Sequence, residues 1–262
     1  MSEFAKDQVR RQFAATAAGY VSSPVHAAGP DLRRLVELAR LSGAERVLDI
    51  ATGGGHTALA CAPHAREVVA SDLTPRMLET AAAFFASQGA SIRTELADAE
   101  ALPFADGSFE RVTCRIAPHH FPNPAGFVRE AARVLRPGPA GYGRLIISDL
   151  VGHEDPALDG FVNQVERLRD PSHIRSYKVS EWVGWCAAAG LQVVQLEIIR
   201  RTHAIQPWIE RARLPEADRP RLLDAFRSAP AAIQRHYAVE FADDQPVSFC
   251  TDVLVLAAEK AA

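Results

Sequence analysis

Apolar residues fall along this chain in two rhythms. Near the start, Phe4, Val9 and Phe13 return on one stripe among Lys6, Arg10 and Arg11. That helical period predicts an amphipathic helix over residues 3–18. It stops near Gly19-Tyr20, and Ser22-Ser23-Pro24 breaks it, since proline cannot continue a helix. Leu32, Leu35, Val36 and Ala39 repeat the spacing over residues 31–40, with Asp31 as the expected cap. From residue 46 a second rhythm takes over, in short apolar runs at 46–50, 67–72, 91–96, 109–116 and 143–150. Runs of this length read as buried strands. Helical patterns separate several of them, at 56–63, 75–87 and 124–135. Thr74 and Pro75 open the second helix, and Arg136-Pro137-Gly138 closes the third.

Strands alternating with helices form a parallel sheet covered on both faces. Two further strand patterns, at 191–199 and 247–257, bring the expectation to a doubly wound, mostly parallel seven-stranded α/β sheet. Residues 155–189 and 206–238 read as helical, the first broken at Asp170-Pro171-Ser172, with Ser180 capping the helix of Trp182 and Trp185. Trp182, Trp185 and Phe249 read as core. Segments 151–180 and 201–246 are too long for plain connections and are expected to form a lid or substrate wall. The expected organisation is therefore a helical cap over 1–40, a ligand-binding core over 41–150, and lid helices with the last strands over 151–262.

Ligands of such sheets bind beyond the carboxyl ends of the strands, where strand order reverses. Asp49, Asp72, the Asp98 loop and the Arg115–His120 loop all fall at that edge. There the run Val47-Leu48-Asp49-Ile50 meets Ala51-Thr52-Gly53-Gly54-Gly55 and then a helix-compatible segment. Glycine permits close backbone approach, and the helix aims its first N–H groups at the turn. The letters Gly53-Gly54-Gly55-His56-Thr57-Ala58 fit the dinucleotide fingerprint, with Asp72 placed as a ribose acid would be. An NAD-dependent oxidoreductase is thus one reading. Two features oppose it: Asp49, which that fingerprint does not require, and the segment Leu96-Ala97-Asp98-Ala99-Glu100-Ala101-Leu102-Pro103-Phe104.

Taken together, Val47–Gly55, Val69-Ala70-Ser71-Asp72, residues 96–104 and Ala132-Arg133-Val134-Leu135-Arg136-Pro137-Gly138 resemble the class I S-adenosylmethionine-dependent methyltransferases, which have a Rossmann-like fold. Within them the chain looks most like the ubiquinone/menaquinone C-methyltransferase branch and related small-molecule enzymes. The resemblance covers residues 40–150 well and the remainder loosely. It implies S-adenosylmethionine as cofactor and methyl transfer to a small organic acceptor, on carbon or oxygen, by in-line displacement. It also implies roles. Ala51, Gly53, Gly54 and Gly55 would pack on the methionine and ribose parts, with Asp49 near the ammonium directly or through the turn. Asp72 would accept from both ribose hydroxyls. Asp98 and the Ala99 N–H would meet the adenine edge, Leu73 and Met77 its faces, and Arg115 the methionine end. Ala51 stands where the usual first glycine belongs, which is tolerable if its φ is negative. A fold relative that binds the cofactor without transferring methyl is the alternative.

Methyl transfer needs alignment and exclusion of water above all. A base helps when the acceptor must lose a proton. His119 and His120, beyond the fourth strand, are the candidates. Adjacent histidines do not make metal-ligand spacing, so no metal is expected. Tyr20 is a candidate lid residue. Arg167, Arg169, His173, Arg175 and Tyr177 cluster near Pro171, and Arg175 and Tyr177 are candidates to bind an anionic or polyoxygenated acceptor.

Composition narrows the setting without redirecting it. The net charge is −3 and the apolar fraction 48%, with no basic patch, so nucleic acid is not the expected partner. Lys6 and Asp7 sit where a signal peptide would need an apolar core. No run approaches membrane-spanning length. The four scattered cysteines read as reduced. A cytoplasmic enzyme without integral membrane contact is expected, and a homodimer stays open.

Overall fold

A computed structural model describes residues 2–21, 27–139 and 143–260, apart from the side chains of residues 2, 5 and 15–21. The candidate lid side chain of Tyr20 lies outside the described residues. Helix α1 (Ser2–Val21) precedes α2 (Pro30–Ala39), and then come β1 (Arg46–Ile50), α3 (His56–Cys61), β2 (Glu67–Asp72), α4 (Pro75–Ser87), β3 (Arg93–Leu96) and β4 (Arg111–Arg115). The middle of the chain supplies α5 (Pro124–Val134), β5 (Gly143–Gly152), α6 (Pro156–Arg169), β6 (Tyr177–Lys178) and α7 (Val179–Ala188). The remainder is β7 (Leu191–Ala204), α8 (Ile205–Arg211), α9 (Arg219–Arg227), α10 (Ala231–His236), β8 (Glu240–Ala242) and β9 (Gln245–Lys260).

The main sheet path runs β3-β2-β1-β4-β5-β9-β7. The first five strands are parallel, and β9 enters antiparallel between β5 and β7. β4 is buried at every position and β1 at four of five. These runs do not alternate because helices cover both faces. Strand order reverses between β1 and β4, which opens a crevice at their carboxyl ends. Two short strands were not legible in the sequence. β6 adds two residues beside the end of β5, and β8 pairs back on β9.

The expected helix over 206–238 is three helices: Pro215 opens the short 3-10 turn, Glu216–Asp218, that leads into the second, and Pro230 stands immediately before the third. They pack with α6 and β9 into a second core around Phe161, Trp208, Phe226 and Phe249. Trp182 and Phe249 are fully buried. Two expected caps are otherwise occupied. Ser180 donates its hydroxyl to Glu154, while Lys178 holds the N-cap position of α7 and its N–H donates to the Glu181 carboxylate at 2.8 Å. Asp31 is not a cap either: its carboxylate is fully buried between two arginines. No helix of the described residues is long and apolar enough to cross a membrane.

Candidate active site

A cavity of about 910 Å³, partly continuous with solvent, opens at the strand-order reversal. Its floor is the turn after β1, with Ala51, Gly53 and Gly54 on the wall. Asp72, Leu73 and Met77 follow from the end of β2, Asp98 and Ala99 from the end of β3. Arg115 ends β4, Ile116 and His120 come from beyond it, and α1 closes the far side with Lys6, Val9 and Phe13.

The turn is built by its own backbone. Thr52 N–H donates to Ser71 at 2.8 Å and Gly55 N–H to Thr52 at 2.9 Å. The Asp72 carboxylate braces it, accepting from Gly53 N–H at 3.0 Å and Thr74 N–H at 2.9 Å. Burial raises the Asp72 pKa, and those N–H donors offset only part of it. Asp49 lies beneath the turn rather than on the cavity wall. Its oxygens accept from Thr52 Oγ1 at 2.6 Å and Thr113 Oγ1 at 2.7 Å, and burial pushes its pKa up to about 6. The side chain therefore reaches the site through Thr52.

Two expectations about the turn need correction. Gly55 does not line the cavity. A Cβ there would stand 2.4 Å from the Phe85 ring, and its φ is +87°, so glycine is required by packing against α4 and by backbone conformation. Ala51 has φ +53°, not the negative value that would make alanine easy. An L-residue there carries strain of about 1–2 kcal/mol. Ala51→Gly is therefore expected to stabilise the fold by about 0.5–1 kcal/mol, after the extra flexibility of unfolded glycine is counted. Denaturant unfolding reads this directly, and an unchanged or lowered stability would contradict it. Ile116, also on the wall, has φ +51°, a rare conformation for a β-branched residue. Its N–H is tied to Ser148 at 2.8 Å. Nothing in the residues around Ile116 signals this conformation.

Asp98 accepts from Glu100 N–H at 2.9 Å and pairs with Lys6 at 2.6 Å, while Glu100 pairs with the same ammonium at 2.8 Å. This link pins α1 over the cavity. Arg115 is buried, and its Nε donates to Asp31 at 2.7 Å. Asp31 also pairs with Arg201. Burial would raise the Asp31 pKa, but the two guanidinium groups outweigh it and hold the carboxyl below its usual value.

The two histidines separate. Neither is a surface residue, and only His120 lines the cavity. His119 turns to Asp149 on β5, whose carboxylate accepts from the His119 backbone N–H at 2.7 Å and sits 2.6 Å from Nδ1. Burial would lower the His119 pKa, but Asp149 raises it more. His119 also anchors the following segment, its carbonyl accepting from Ile174 and Arg175 N–H. His120 sits edge-on to Phe13, ring centroids 4.8 Å apart, with Nδ1 2.9 Å from the Ser172 carbonyl. Burial and the neighbouring His119 hold it neutral.

The structure does not bring Arg175 and Tyr177 to the cavity wall. Arg175 pairs with Asp159 and Glu181, and Tyr177 donates its hydroxyl to the Phe121 carbonyl at 2.8 Å while packing on Trp182 and Trp185. The Arg175 charge is paired with carboxylates on α6 and α7, and the Tyr177 hydroxyl is engaged by a backbone carbonyl. Among the described residues, no group of three or more His, Cys, Asp or Glu is placed to hold a metal.

The cavity suits a nucleoside with a charged tail. Space over Gly53 is clear to 4 Å. Asp72 keeps lone pairs for a diol, and Leu73, Met77 and Ala99 offer apolar contact to a flat base. Residues 48–142 match the Methyltransferase domain family. Over 246 residues, 93% of this chain and 96% of the other, the sequence is 35% identical to the uncharacterized methyltransferase YcgJ of Bacillus subtilis. The chain belongs to the class I S-adenosylmethionine-dependent methyltransferases. This methyltransferase superposes on the BH2331 protein of Bacillus halodurans with a TM-score of 0.86 and 40% identity, covering 89% of this chain and 100% of that one. A stretch of 124 residues, 45% of this chain and 54% of the relative, is 40% identical to the demethylmenaquinone methyltransferase of Thermus thermophilus. The cofactor of the methyltransferase is S-adenosylmethionine, and the NAD reading falls with that assignment.

Proposed function

We propose that this methyltransferase methylates oxygen or carbon of a small, largely apolar organic acceptor whose hydroxyl or enol is deprotonated by His120. The observation that carries this reading is the placement of His120. It is neutral and on the cavity wall, with Nδ1 against a carbonyl that can only accept. Nδ1 therefore bears the hydrogen, and Nε2 is the ring's acceptor. The neighbouring wall is apolar, with Val9, Phe13, Ile116 and Phe121. The partial likeness to a demethylmenaquinone methyltransferase favours a quinol-like ring among such acceptors.

In this proposal Asp72 holds the ribose diol, and Asp98 with the Ala99 N–H holds the adenine edge. Leu73 and Met77 cover the adenine faces, and Arg115 meets the methionine carboxylate. Asp49 acts on the ammonium end through Thr52. When bound, S-adenosylmethionine supplies an electrophilic methyl group on a cationic sulfonium that departs as a neutral thioether. The protein's own work is to align the acceptor, exclude water beneath α1, and take one proton at Nε2.

The test uses methyl-labelled cofactor with small phenols, enols and hydroquinones, read by mass spectrometry. Transfer of label to one of these classes is expected, and His120→Ala should lower turnover by about a hundredfold or more with cofactor affinity intact. Undiminished turnover in His120→Ala would remove the base. Tight binding of S-adenosylhomocysteine without any labelled product would favour a binder that does not transfer methyl.

A further inference from the structure

His120 is connected to a buried carboxylate that the sequence reading treated only as a helix break. Asp170 ends α6, and Ser172 follows two residues later. The Ser172 hydroxyl donates to Asp170 Oδ1 at 2.6 Å, and the Ser172 N–H donates to the same oxygen at 2.9 Å. With its hydrogen committed to Asp170, Ser172 Oγ has only lone pairs left for His120 Nδ1, 3.2 Å away. The Ser172 carbonyl, 2.9 Å from the same nitrogen, is a second acceptor. Both groups beside Nδ1 therefore accept, which requires the hydrogen on Nδ1 and the lone pair on Nε2. All three residues are buried, at 7%, 6% and 3% exposure for His120, Asp170 and Ser172, so water does not compete for these bonds. The segment is also tied down from two sides. The Pro171 carbonyl accepts from Gln8 on α1 at 2.9 Å, and Ser176 N–H donates to Asn163 on α6 at 2.7 Å.

We propose that Asp170, acting through Ser172, is a positioning residue for methyl transfer that holds the Ser172 hydroxyl and carbonyl against His120 Nδ1 and faces the imidazolium that forms. This rests on the reading of His120 as the proton acceptor. When the acceptor's O–H bond breaks, its electron pair stays on oxygen and the proton forms the new bond to Nε2. The imidazole becomes a cation, and the Asp170 carboxylate faces it through one hydroxyl. An aspartate serving only to end α6 would need no such link to the ring.

The experiment combines a spectrum that needs no acceptor with a kinetic comparison. Protein carrying ¹⁵N-histidine is observed by long-range nitrogen–proton correlation near neutral pH, and His120 is identified by its loss in His120→Gln. The wild type is expected to show His120 as the Nδ1–H tautomer. Ser172→Ala and Asp170→Asn are expected to keep that tautomer, which the Ser172 carbonyl still enforces, and to lower kcat by about tenfold or more. KM and the calorimetric Kd for S-adenosylhomocysteine should stay within about twofold, which also shows that the variants are folded. Ser172→Thr, which keeps the hydroxyl, should restore kcat. A wild-type Nε2–H tautomer would overturn the proposal. So would a Ser172→Ala protein that binds S-adenosylhomocysteine normally and keeps the wild-type kcat. His120→Ala, assayed in parallel, separates the two levels. If it is inactive while Asp170→Asn and Ser172→Ala are unimpaired, the positioning role fails and the base stands. If it retains full turnover, the base itself fails.

Discussion

Asp31→Asn will cost the fold about 3–5 kcal/mol, the penalty for breaking a buried ion pair from one side. The substitution keeps shape and volume, so no cavity accompanies it. What it removes is the charge that Arg115 and Arg201 share inside the molecule, where Asp31 is 0% exposed. The buried Arg115 and the half-buried Arg201 would then face a neutral amide in place of the carboxylate they share. The pH dependence has a definite sign. The folded carboxyl titrates below its ordinary value, because the arginines outweigh the effect of burial. Its stabilisation is therefore complete above the unfolded pKa of about 3.9 and is lost as pH falls through the lower folded value. Asp31→Asn should lose that part of the acid limb. Urea unfolding at neutral pH and at stepped acidic pH measures both effects. A variant as stable as the wild type would mean that the arginines do not depend on Asp31.

Asp31 also marks where reading the chain stops. What was legible is local in sequence and set by backbone chemistry. The runs ending in Asp49 and Asp72, the glycine turn, and the Asp98-Ala99 segment are each within a few residues of the strand end that positions them. What was not legible depends on partners that only folding brings near. Asp31 meets Arg115 across 84 residues, His119 meets Asp149 across 30, and His120 meets Ser172 across 52. Nothing in the letters around Asp31, at the start of an amphipathic helix, separates a cap from a buried counterion. The same limit explains the misplaced Arg175 and Tyr177. A cluster of basic and aromatic residues looks like a binding surface until Asp159 and Glu181 are seen to pair with Arg175. Gly55 illustrates a different ambiguity, because the letter is the same whether a ligand or a neighbouring helix demands it. Ala51 and Ile116 took up positive φ against their intrinsic preference, which shows tertiary structure overriding local propensity at the cavity wall.

Asp72→Ala will weaken S-adenosylhomocysteine binding by upwards of a hundredfold. Two charge-assisted hydrogen bonds to a ribose diol, at about 1.5–3 kcal/mol each, amount to roughly 3 kcal/mol or more. The loss has a second source, since the same carboxylate accepts from Gly53 and Thr74 N–H and holds the turn in shape. The two contributions can be told apart with the 2′-deoxy analogue of the ligand. If Asp72 grips the diol, the wild type will bind the deoxy analogue more weakly than the parent, and Asp72→Ala will barely discriminate between them. If the carboxylate only braces the turn, the alanine variant will bind both ligands poorly and keep the wild-type ratio. The ionised form is needed, because only a carboxylate accepts at both oxygens. Burial raises this pKa, so wild-type affinity should begin to fall on acidification while pH is still above the ordinary aspartate range. Calorimetric titration of both ligands across that range tests the assignment, and a wild-type ratio preserved in Asp72→Ala would end the ribose role.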